Sequence, residues 1–317
     1  MKKAIVLLLV LSAAIVAFAL KKAPAYKKAR LKGAEARMEL HITDDEGNVV
    51  PDANVNVFMG MNFRPQGYWL KGKTDTNGVF TVYGKTCGDE IEIMLSRTGY
   101  YDSNKKICFV TMGAERDVKD GKWQPYGERH DLVLRRIHNP VAVKIGNGEF
   151  ALTKHLNRWL GFDLQKHDFV RPYGIGDTAD FEVMIEWNGK WLPDYTGMGV
   201  RIRFTVPCSG YYEQPIFSAS KFRGPYSADT GKAFNTAATF DEQVVGPTKR
   251  IQHLFDENKC WVVRSRCKVD EEGKIISANY SVVHKIGFCG EPDGRGGVRI
   301  MGAFNPTLND TNLEPKR

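Results

Sequence analysis

The sequence lacks the short motifs by which several enzyme and metal-protein classes are recognised. Its six cysteines and seven histidines include no Cys-x-x-Cys and no spacing of zinc-finger type. No Gly-x-Ser-x-Gly marks a serine-hydrolase elbow, and the glycine-rich run at 290–302 lacks the Gly-Lys-Ser/Thr ending of a phosphate loop. With no motif that names a reaction, we predict neither a metal nor a cofactor.

The body of the chain also lacks an excess of charge of one sign. The formal net charge is +8, from 45 Lys and Arg against 37 Asp and Glu, but residues 1–38 hold nine basic residues against Glu35 alone. The remaining 36 basic and 36 acidic residues balance. A nucleic-acid binder carries a basic face on its folded body, so we expect no nucleic-acid partner.

The amino terminus has the pattern of an export signal. Two lysines precede an uncharged apolar stretch at 4–20, and Ala-Phe-Ala at 17–19 supplies small residues for cleavage. We therefore expect residues 1–19 to be a signal peptide and 20–37 a basic tether, with the protein exported to the periplasm, the cell surface or the medium. The alternative is an uncleaved single-span anchor at residues 4–20, which would be the protein's one contact with a membrane.

Cysteines in an exported chain predict disulfides. Cys87 and Cys108 are the two in the first half of the chain, so we expect them to pair with each other. The sequence leaves open the pairing of the other four, which are Cys208, Cys260, Cys267 and Cys289.

Residues 38–137 read as short alternating strands separated by polar turns. The strand-like runs include MELHIT, NVNVF, VFTVY and EIEIML, and no window holds apolar residues at helical spacing. This pattern predicts an antiparallel β-sandwich. Within KTDTNGVF, at 73–80, Asn77 and Gly78 predict a turn with positive φ between two paired strands.

Three segments of this half match the motifs of a known family in order. They are DDEGNVVPDANVNVF, KTDTNGVFTV and SRTGYYD, and the matching residues are Asp44, Gly47, Val50, Ala53, Val55, Thr74, Gly78, Phe80, Gly99 and Tyr100. On these residues, 38–137 resembles the carboxypeptidase regulatory-like domain, a transthyretin-like sandwich, although Pro51 and Asp52 stand where that family often has Gly or Ser. The resemblance implies a fold and an accessory role without a reaction. The Tyr-Arg-Gly-Ser tail of transthyretin-like enzymes is absent.

Residues 138–317 predict a second, mainly antiparallel β domain with one short helix. The helix is expected at 149–161, where apolar residues share one face and Gly161 ends the pattern. Two hairpins are expected, one with DFEVMIEW and KWLPDY around Asn188-Gly189, the other with CWVVRSRCKV and KIISANYSVVHKI around Asp270–Gly273. This half resembles uncharacterised exported bacterial proteins, a resemblance that implies no activity.

The candidates for catalysis lie in the segment QHLFDE and are His253, Asp256 and Glu257. A His-x-x-acid spacing suits metal or acid–base chemistry, as a secreted hydrolase acting through the second domain would need. With seven histidines and 37 acidic residues the spacing also arises by chance about once per chain, and no third ligand accompanies it.

Aromatic residues are the candidates for ligand binding. They are Trp187, Trp191 and Tyr195 around the Asn188-Gly189 turn, with Tyr211 and Tyr212 further along. Exposed Trp and Tyr side chains can stack on sugar rings, whereas the alternative is cross-strand packing inside a sandwich. We expect an exported, non-catalytic protein that binds a glycan or another protein at the cell envelope. The alternatives are the secreted hydrolase and a purely structural envelope component.

Overall fold

The computed structural model divides into two compact units. Unit 1 comprises Met1–Ile137 and Ala219–Lys221, and unit 2 comprises His138–Ser218 and Phe222–Arg317. The residues that the structure describes are 24–60, 67–109, 118–151, 154–187, 197–245, 249–290 and 296–316. Strands account for 56% of the structure and helix for 3%, which confirms a mainly β fold. Across these ranges, no helix has the length and apolar character that a membrane crossing requires.

Among its described residues, unit 1 holds one helix and nine strands. They are α1 (Ala25–Lys32), β1 (Ala34–Asp44), β2 (Asn54–Met59), β3 (Tyr68–Lys73), β4 (Val79–Thr86), β5 (Glu90–Ser96), β6 (Ser103–Cys108), β7 (Val118–Lys119), β8 (Lys122–Trp123) and β9 (Glu128–Leu134). One sheet has the order β4-β1-β8-β7 with β9 also on β1, and the other has the order β3-β2-β5-β6. The segment Ala219–Lys221 adjoins β6, where Asn104 N donates to Ala219 O.

The core of unit 1 follows from the alternation of its strands. Every second residue of β1 is buried, and the same period places one face of β2 and of β5 in the same apolar cluster. Because successive side chains of a strand point to opposite faces, alternating strands can bury one face of each sheet. The buried members include Met38, Leu40, Ile42, Val55, Val57, Ile91 and Ile93.

The segment before β1 is an ordered part of unit 1. Residues Ala25–Lys32 form α1, whose Ala29 is buried and whose Tyr26 packs edge-on against Trp123 with ring centroids 6.0 Å apart. Arg30 forms an ion pair with Asp89 at 2.8 Å. The first strand therefore starts at Ala34, four residues before the start predicted for the sandwich.

The turn at 73–80 connects the two sheets of unit 1, which corrects the prediction that it joins paired strands. The preceding strand β3 pairs with β2, whereas the following strand β4 pairs with β1. The Asp75 carboxylate accepts hydrogen bonds from the Asn77 and Val79 amides, and Gly78 alone has positive φ, at 73°. The sequence predicted the turn itself, with positive φ at Gly78, but the strand that pairs with each of its flanking strands is set by packing.

Gly78 should be the most sensitive position in this turn. A Cβ at Gly78 would lie 2.6 Å from the Ile42 carbonyl oxygen, in addition to the cost of positive φ for a residue with a side chain. Gly47 has a similar φ of 86°, but a Cβ there meets no atom within 4 Å. We expect Gly78→Ala to lower the free energy of unfolding of unit 1 by at least about 1 kcal/mol more than Gly47→Ala. Urea titration checks this, and equal losses would contradict it.

Unit 2 holds eleven strands in the ranges that are described. They are β10 (Lys144–Ala151), β11 (Leu160–Asp163), β12 (Asp168–Phe169), β13 (Phe181–Trp187), β14 (Gly197–Arg203), β15 (Gly210–Pro215), β16 (Ala237–Val245), β17 (Lys249–His253), β18 (Lys259–Val269), β19 (Ile275–Gly290) and β20 (Gly296–Asn305). One sheet has the order β10-β20-β19-β18-β15, and the other has the order β12-β11-β13-β14-β16-β17.

Unit 2 has two apolar clusters. The larger draws on both sheets, with Val183 and Ile202 from one and Val263, Val283 and Ile300 from the other. The smaller contains alternate residues of β15, β18 and β19, together with Ala228 and Leu313. The central strands of the five-stranded sheet therefore bury side chains on both faces.

Three predictions for unit 2 can be compared with its strands. The helix predicted at 149–161 is wrong, because 144–151 is strand β10 and pairs along its whole length with β20. Strand β13 pairs with β14, where Trp187 lies opposite Met198, and with β11 on its other side. The segment at 190–195, which was predicted to form the second strand of this hairpin, lies outside the described residues. The hairpin around Asp270–Gly273 is confirmed by the pairing of β18 with β19.

A bulge in β18 directs one arginine into a buried ion-pair network. Ser265 pairs with Asn279 and Lys268 with Ser277, so two residues of β18 lie opposite one of β19, and Arg266 has a φ of 53°. The Arg266 guanidinium donates to Asp163 at 2.7 Å, to Asp180 at 2.9 Å and to Gln165 at 2.6 Å. Both carboxylates are buried and also accept backbone amides. This arginine is fully engaged in holding unit 2 together.

Candidate anion-binding site

A second bulge, in β19, sets His284 apart from the regular sheet. Val283 pairs with Gly302 and Lys285 with Met301, so His284 has no counterpart on β20. A bulge re-aims the side chain of its extra residue, and bulges are enriched beside functional sites. Val283 and Ile286 belong to the larger apolar cluster, whereas His284 and Lys285 line a cavity.

This cavity, termed the His284 pocket, is dominated by basic side chains. It has a volume of about 210 Å³ and is lined by Arg223, Glu257, His284, Lys285, Arg299 and Met301. With a neutral imidazole, the lining holds three cations and one carboxylate, and Glu149 pairs with Arg299 from outside the lining, so one net positive charge remains. Such a pocket attracts an anionic group.

The basic groups come from three different parts of unit 2. Lys285 Nζ donates to Glu257 Oε1 at 2.6 Å, and Arg299 on β20 forms an ion pair with Glu149 on β10 at 3.4 Å. Arg223 lies in the segment between β15 and β16. There, a Cβ on Gly224 would approach His284 Cε1 to 3.5 Å. The strand pairing and this close approach together bring the side chains to one place.

Three buried nitrogens in the His284 pocket have no hydrogen-bond partner among the described residues. They are Arg223 Nε, Arg299 Nε and His284 Nδ1. Leaving a buried donor unsatisfied costs about 1–3 kcal/mol, more for charged groups. The Nε atom of Arg266, by contrast, donates to Asp180. The pocket therefore offers hydrogen-bonding capacity that the surrounding protein does not use.

The surroundings of His284 also lower its basicity. Burial, and then the positive charge of Arg223, lower the pKa of His284 to about 4. The imidazole is therefore neutral near pH 7 and adds no charge of its own. An anion bound beside it would raise this pKa, because a negative charge favours the imidazolium form.

An apolar cavity lies beside the His284 pocket and shares the Glu257–Lys285 ion pair as lining. This cavity, termed the apolar chamber, has a volume of about 300 Å³. Its lining is Val200, Phe240, Leu254, Phe255, Glu257, Lys285, Ile286 and Gly287. Leu254 is 45% exposed, whereas Phe240 and Phe255 are buried. One ion pair thus borders both a basic and an apolar space.

The aromatic residues predicted for ligand binding are not gathered at a described surface. Tyr211 is 8% exposed and stacks on Trp261 with ring centroids 3.7 Å apart, and Tyr212 is 4% exposed and belongs to the smaller apolar cluster. The side chain of Trp187, and all of Trp191 and Tyr195, lie outside the described residues. Both described tyrosines pack in the interior.

The residues predicted for catalysis do not form a common centre. His253 is exposed and stacks on Phe240 with centroids 6.4 Å apart. Asp256 lies 3.8 Å from Lys259, and Glu257 pairs with Lys285. Of these three, Glu257 alone lines the His284 pocket. No cluster of three His, Cys, Asp or Glu side chains suited to a metal occurs in the described part of the chain.

The disulfide predicted between Cys87 and Cys108 is not present. Cys87 follows β4, is buried and is a free thiol, whereas Cys108 ends β6 in the other sheet and is an exposed free thiol. Cys208 and Cys267 are also free thiols. The side chain of Cys289 lies outside the described residues. Sequence order placed Cys87 and Cys108 in one unit, but a disulfide also requires the two thiols to lie within bonding distance, which the fold does not provide.

Comparisons with known proteins yield only distant structural neighbours. No protein-family model matches the chain, and no curated protein does. Catechol 1,2-dioxygenase from Acinetobacter radioresistens matches 34% of this chain and 54% of its own length, at 13% identity and a TM-score of 0.26. 3-Chlorocatechol 1,2-dioxygenase from Rhodococcus opacus 1CP matches 33% of this chain and 61% of its own, at 15% identity and a TM-score of 0.25. Likeness at this level identifies neither a fold nor a function.

Sequence reasoning missed the residues of the His284 pocket. Arg223, His284 and Arg299 belong to no motif, and they are separated by up to 76 positions in the chain. One signal was present: Val282 and Val283 are followed by two polar residues before Ile286, which breaks the strand's alternation. That break marks the bulge, although it does not show what faces it.

Proposed function

We propose that this chain is an exported, non-catalytic binding protein of the cell envelope whose unit 2 holds an anionic ligand group in the His284 pocket. The observation that carries the proposal is the set of three buried nitrogens without partners among the described residues, in a cavity lined by three cations and one carboxylate. Carboxylate, phosphate and sulfate groups offer several acceptor oxygens to the two arginine Nε–H donors, and to His284 in the tautomer that carries its proton on Nδ1. The proposal keeps the envelope binding expected from the sequence and moves the site away from the predicted aromatics.

The arrangement of the basic groups favours binding over chemistry. Among the described residues no carboxylate accepts a hydrogen bond from His284 Nδ1, whereas a catalytic imidazole is usually oriented by such a partner. Lys285 is engaged with Glu257, and Arg299 with Glu149. These contacts hold cations in fixed positions, which suits the recognition of charge.

In this proposal unit 1 is an accessory sandwich of the carboxypeptidase regulatory-like kind. Its buried polar groups are satisfied internally, which supports a structural role: the Arg136 side chain donates to buried Asp44 at 2.7 Å, and buried Thr74 Oγ1 donates to the Val50 carbonyl at 2.7 Å. Export through the leader at 1–19 belongs to the same proposal. Cell fractionation with amino-terminal sequencing tests it, and an uncleaved, membrane-bound chain would favour the anchor instead.

Arg223→Met should weaken anion binding strongly. The variant removes a cation and one unpartnered donor, and hydrogen bonds to charged groups contribute about 1.5–3 kcal/mol. We expect the dissociation constant for inorganic phosphate, measured by isothermal titration calorimetry on the full chain, to rise by at least about tenfold. Acetate and sulfate titrations would rank the anionic groups.

Arg171→Met is the matched control for this experiment. Arg171 is also in unit 2, its side chain is 71% exposed, and it does not line the pocket. It should leave phosphate affinity unchanged. Equal affinity of wild type and Arg223→Met, or no saturable binding of any of the three anions, would refute the proposed site.

A further inference from the structure

We propose that the ligand of this protein is an amphipathic anion, with its anionic group in the His284 pocket and its apolar body in the adjacent apolar chamber. This inference rests on the proposed function and extends it from a charged group to a ligand class. It is carried by the shared border of the two cavities, where Glu257 and Lys285 line both.

The apolar chamber has the surface that an alkyl or aromatic body requires. Five of its lining residues are Val200, Phe240, Leu254, Phe255 and Ile286, and its volume of about 300 Å³ lies at the lower end of the range for small-molecule sites. Leu254 is 45% exposed, so a ligand can cover it without entering the packed core. Burial of apolar surface on both partners would then favour binding.

The charges at the border favour an anion that carries one apolar chain over a sugar acid. Lys285 and Glu257 satisfy each other at 2.6 Å, which leaves the chamber lined mainly by hydrocarbon. A sugar would bring hydroxyl groups into this space, and a polar group buried without a partner is costly. An alkyl chain has no such requirement.

A series of soluble alkyl phosphates tests the proposal. We expect the affinity of the full chain to rise from inorganic phosphate through butyl phosphate to octyl phosphate, by up to about four-fold per methylene group that becomes buried. The heat-capacity change of binding should grow more negative along the series. An affinity that is measurable but independent of chain length would overturn this inference and leave the anion site intact.

Two leucine variants separate the chamber from the anion pocket. Leu254→Asn replaces an apolar lining residue by a polar one, and should weaken octyl phosphate binding about three- to ten-fold without changing the affinity for inorganic phosphate. Leu308→Asn is the control, because Leu308 is also an exposed leucine of unit 2, at 55%, and lies outside the chamber lining. Equal effects of both variants on octyl phosphate would overturn the proposal.

A vesicle co-sedimentation experiment distinguishes two possible sources of the amphipathic anion. The amphipathic anion is either a membrane lipid or a freely diffusing amphiphile. Co-sedimentation with phosphatidylcholine vesicles that contain phosphatidylglycerol, and not with phosphatidylcholine alone, would support a lipid source. Octyl phosphate binding without co-sedimentation would support a diffusing amphiphile.

Discussion

Arg266→Met is expected to destabilise unit 2 by about 3–5 kcal/mol, because it leaves two buried carboxylates without their cation. The side chains of Asp163 and Asp180 are 2% and 0% exposed, and Arg266 donates to both. The variant also loses a cation–π contact, in which the guanidinium carbon of Arg266 lies 4.6 Å from the ring centroid of Phe304. Hydrogen exchange of the β18 and β19 amides on the full chain measures the loss in unit 2 separately from unit 1.

Neutralising one of the two carboxylates that lose their cation should restore part of the stability of unit 2. In Arg266→Met with Asp180→Asn, one buried carboxylate becomes neutral, so we expect a smaller loss than in Arg266→Met alone. Arg171→Met is the control, because its exposed pair with Asp177 should matter little. If Arg266→Met costs no more than that control, the network does not hold the sheets of unit 2 together.

Acidification is expected to destabilise unit 2 through His284. Its pKa is about 4 in the folded protein, lowered first by burial, against an ordinary value of 6.5. Between these values the unfolded chain binds a proton that the folded chain does not, so stability falls as the pH drops from 6.5 to 4. The shift corresponds to a loss of about 3 kcal/mol when the pH reaches 4.

His284→Gln should remove this part of the acid sensitivity. The charged groups that face the imidazole in the pocket are Arg223, Lys285, Arg299 and Glu257, and they remain in the variant. Acid titration of other carboxylates is common to both proteins, so the difference between the two stability curves reports His284. His253→Gln, which removes an exposed imidazole of the same unit, is the control. Parallel curves for wild type and His284→Gln would contradict the prediction.

The proposed ligand and this pH dependence are linked. A bound anion favours the imidazolium, so it should raise the pKa of His284 and reduce the loss of stability in acid. Saturating inorganic phosphate should therefore flatten the wild-type curve between pH 6.5 and 4, and flatten that of Arg223→Met less. The same experiment thus connects the buried histidine to the binding site.

Much of the fold could be predicted from local sequence. Alternation correctly marked β1, β2 and β5 as strands, and Asp270–Gly273 marked a true hairpin. These features depend on neighbours in the chain. The segment at 149–161 shows the limit of such reasoning. Its apolar spacing suits a helix, but its first three residues continue strand β10, which pairs with β20 through Ala151.

The sequence by itself determined that this protein is built of alternating strands, since a two-residue period can bury a core only in sheets. Only the tertiary structure decided which strands pair, that Cys87 and Cys108 remain apart, and that Arg223, His284 and Arg299 meet in one pocket. Strand pairing and bulges depend on contacts between segments that are distant in the sequence. The alternation of one strand does not specify which other strand it pairs with. The chemistry of the site therefore arises from a fold that brings together residues without a motif.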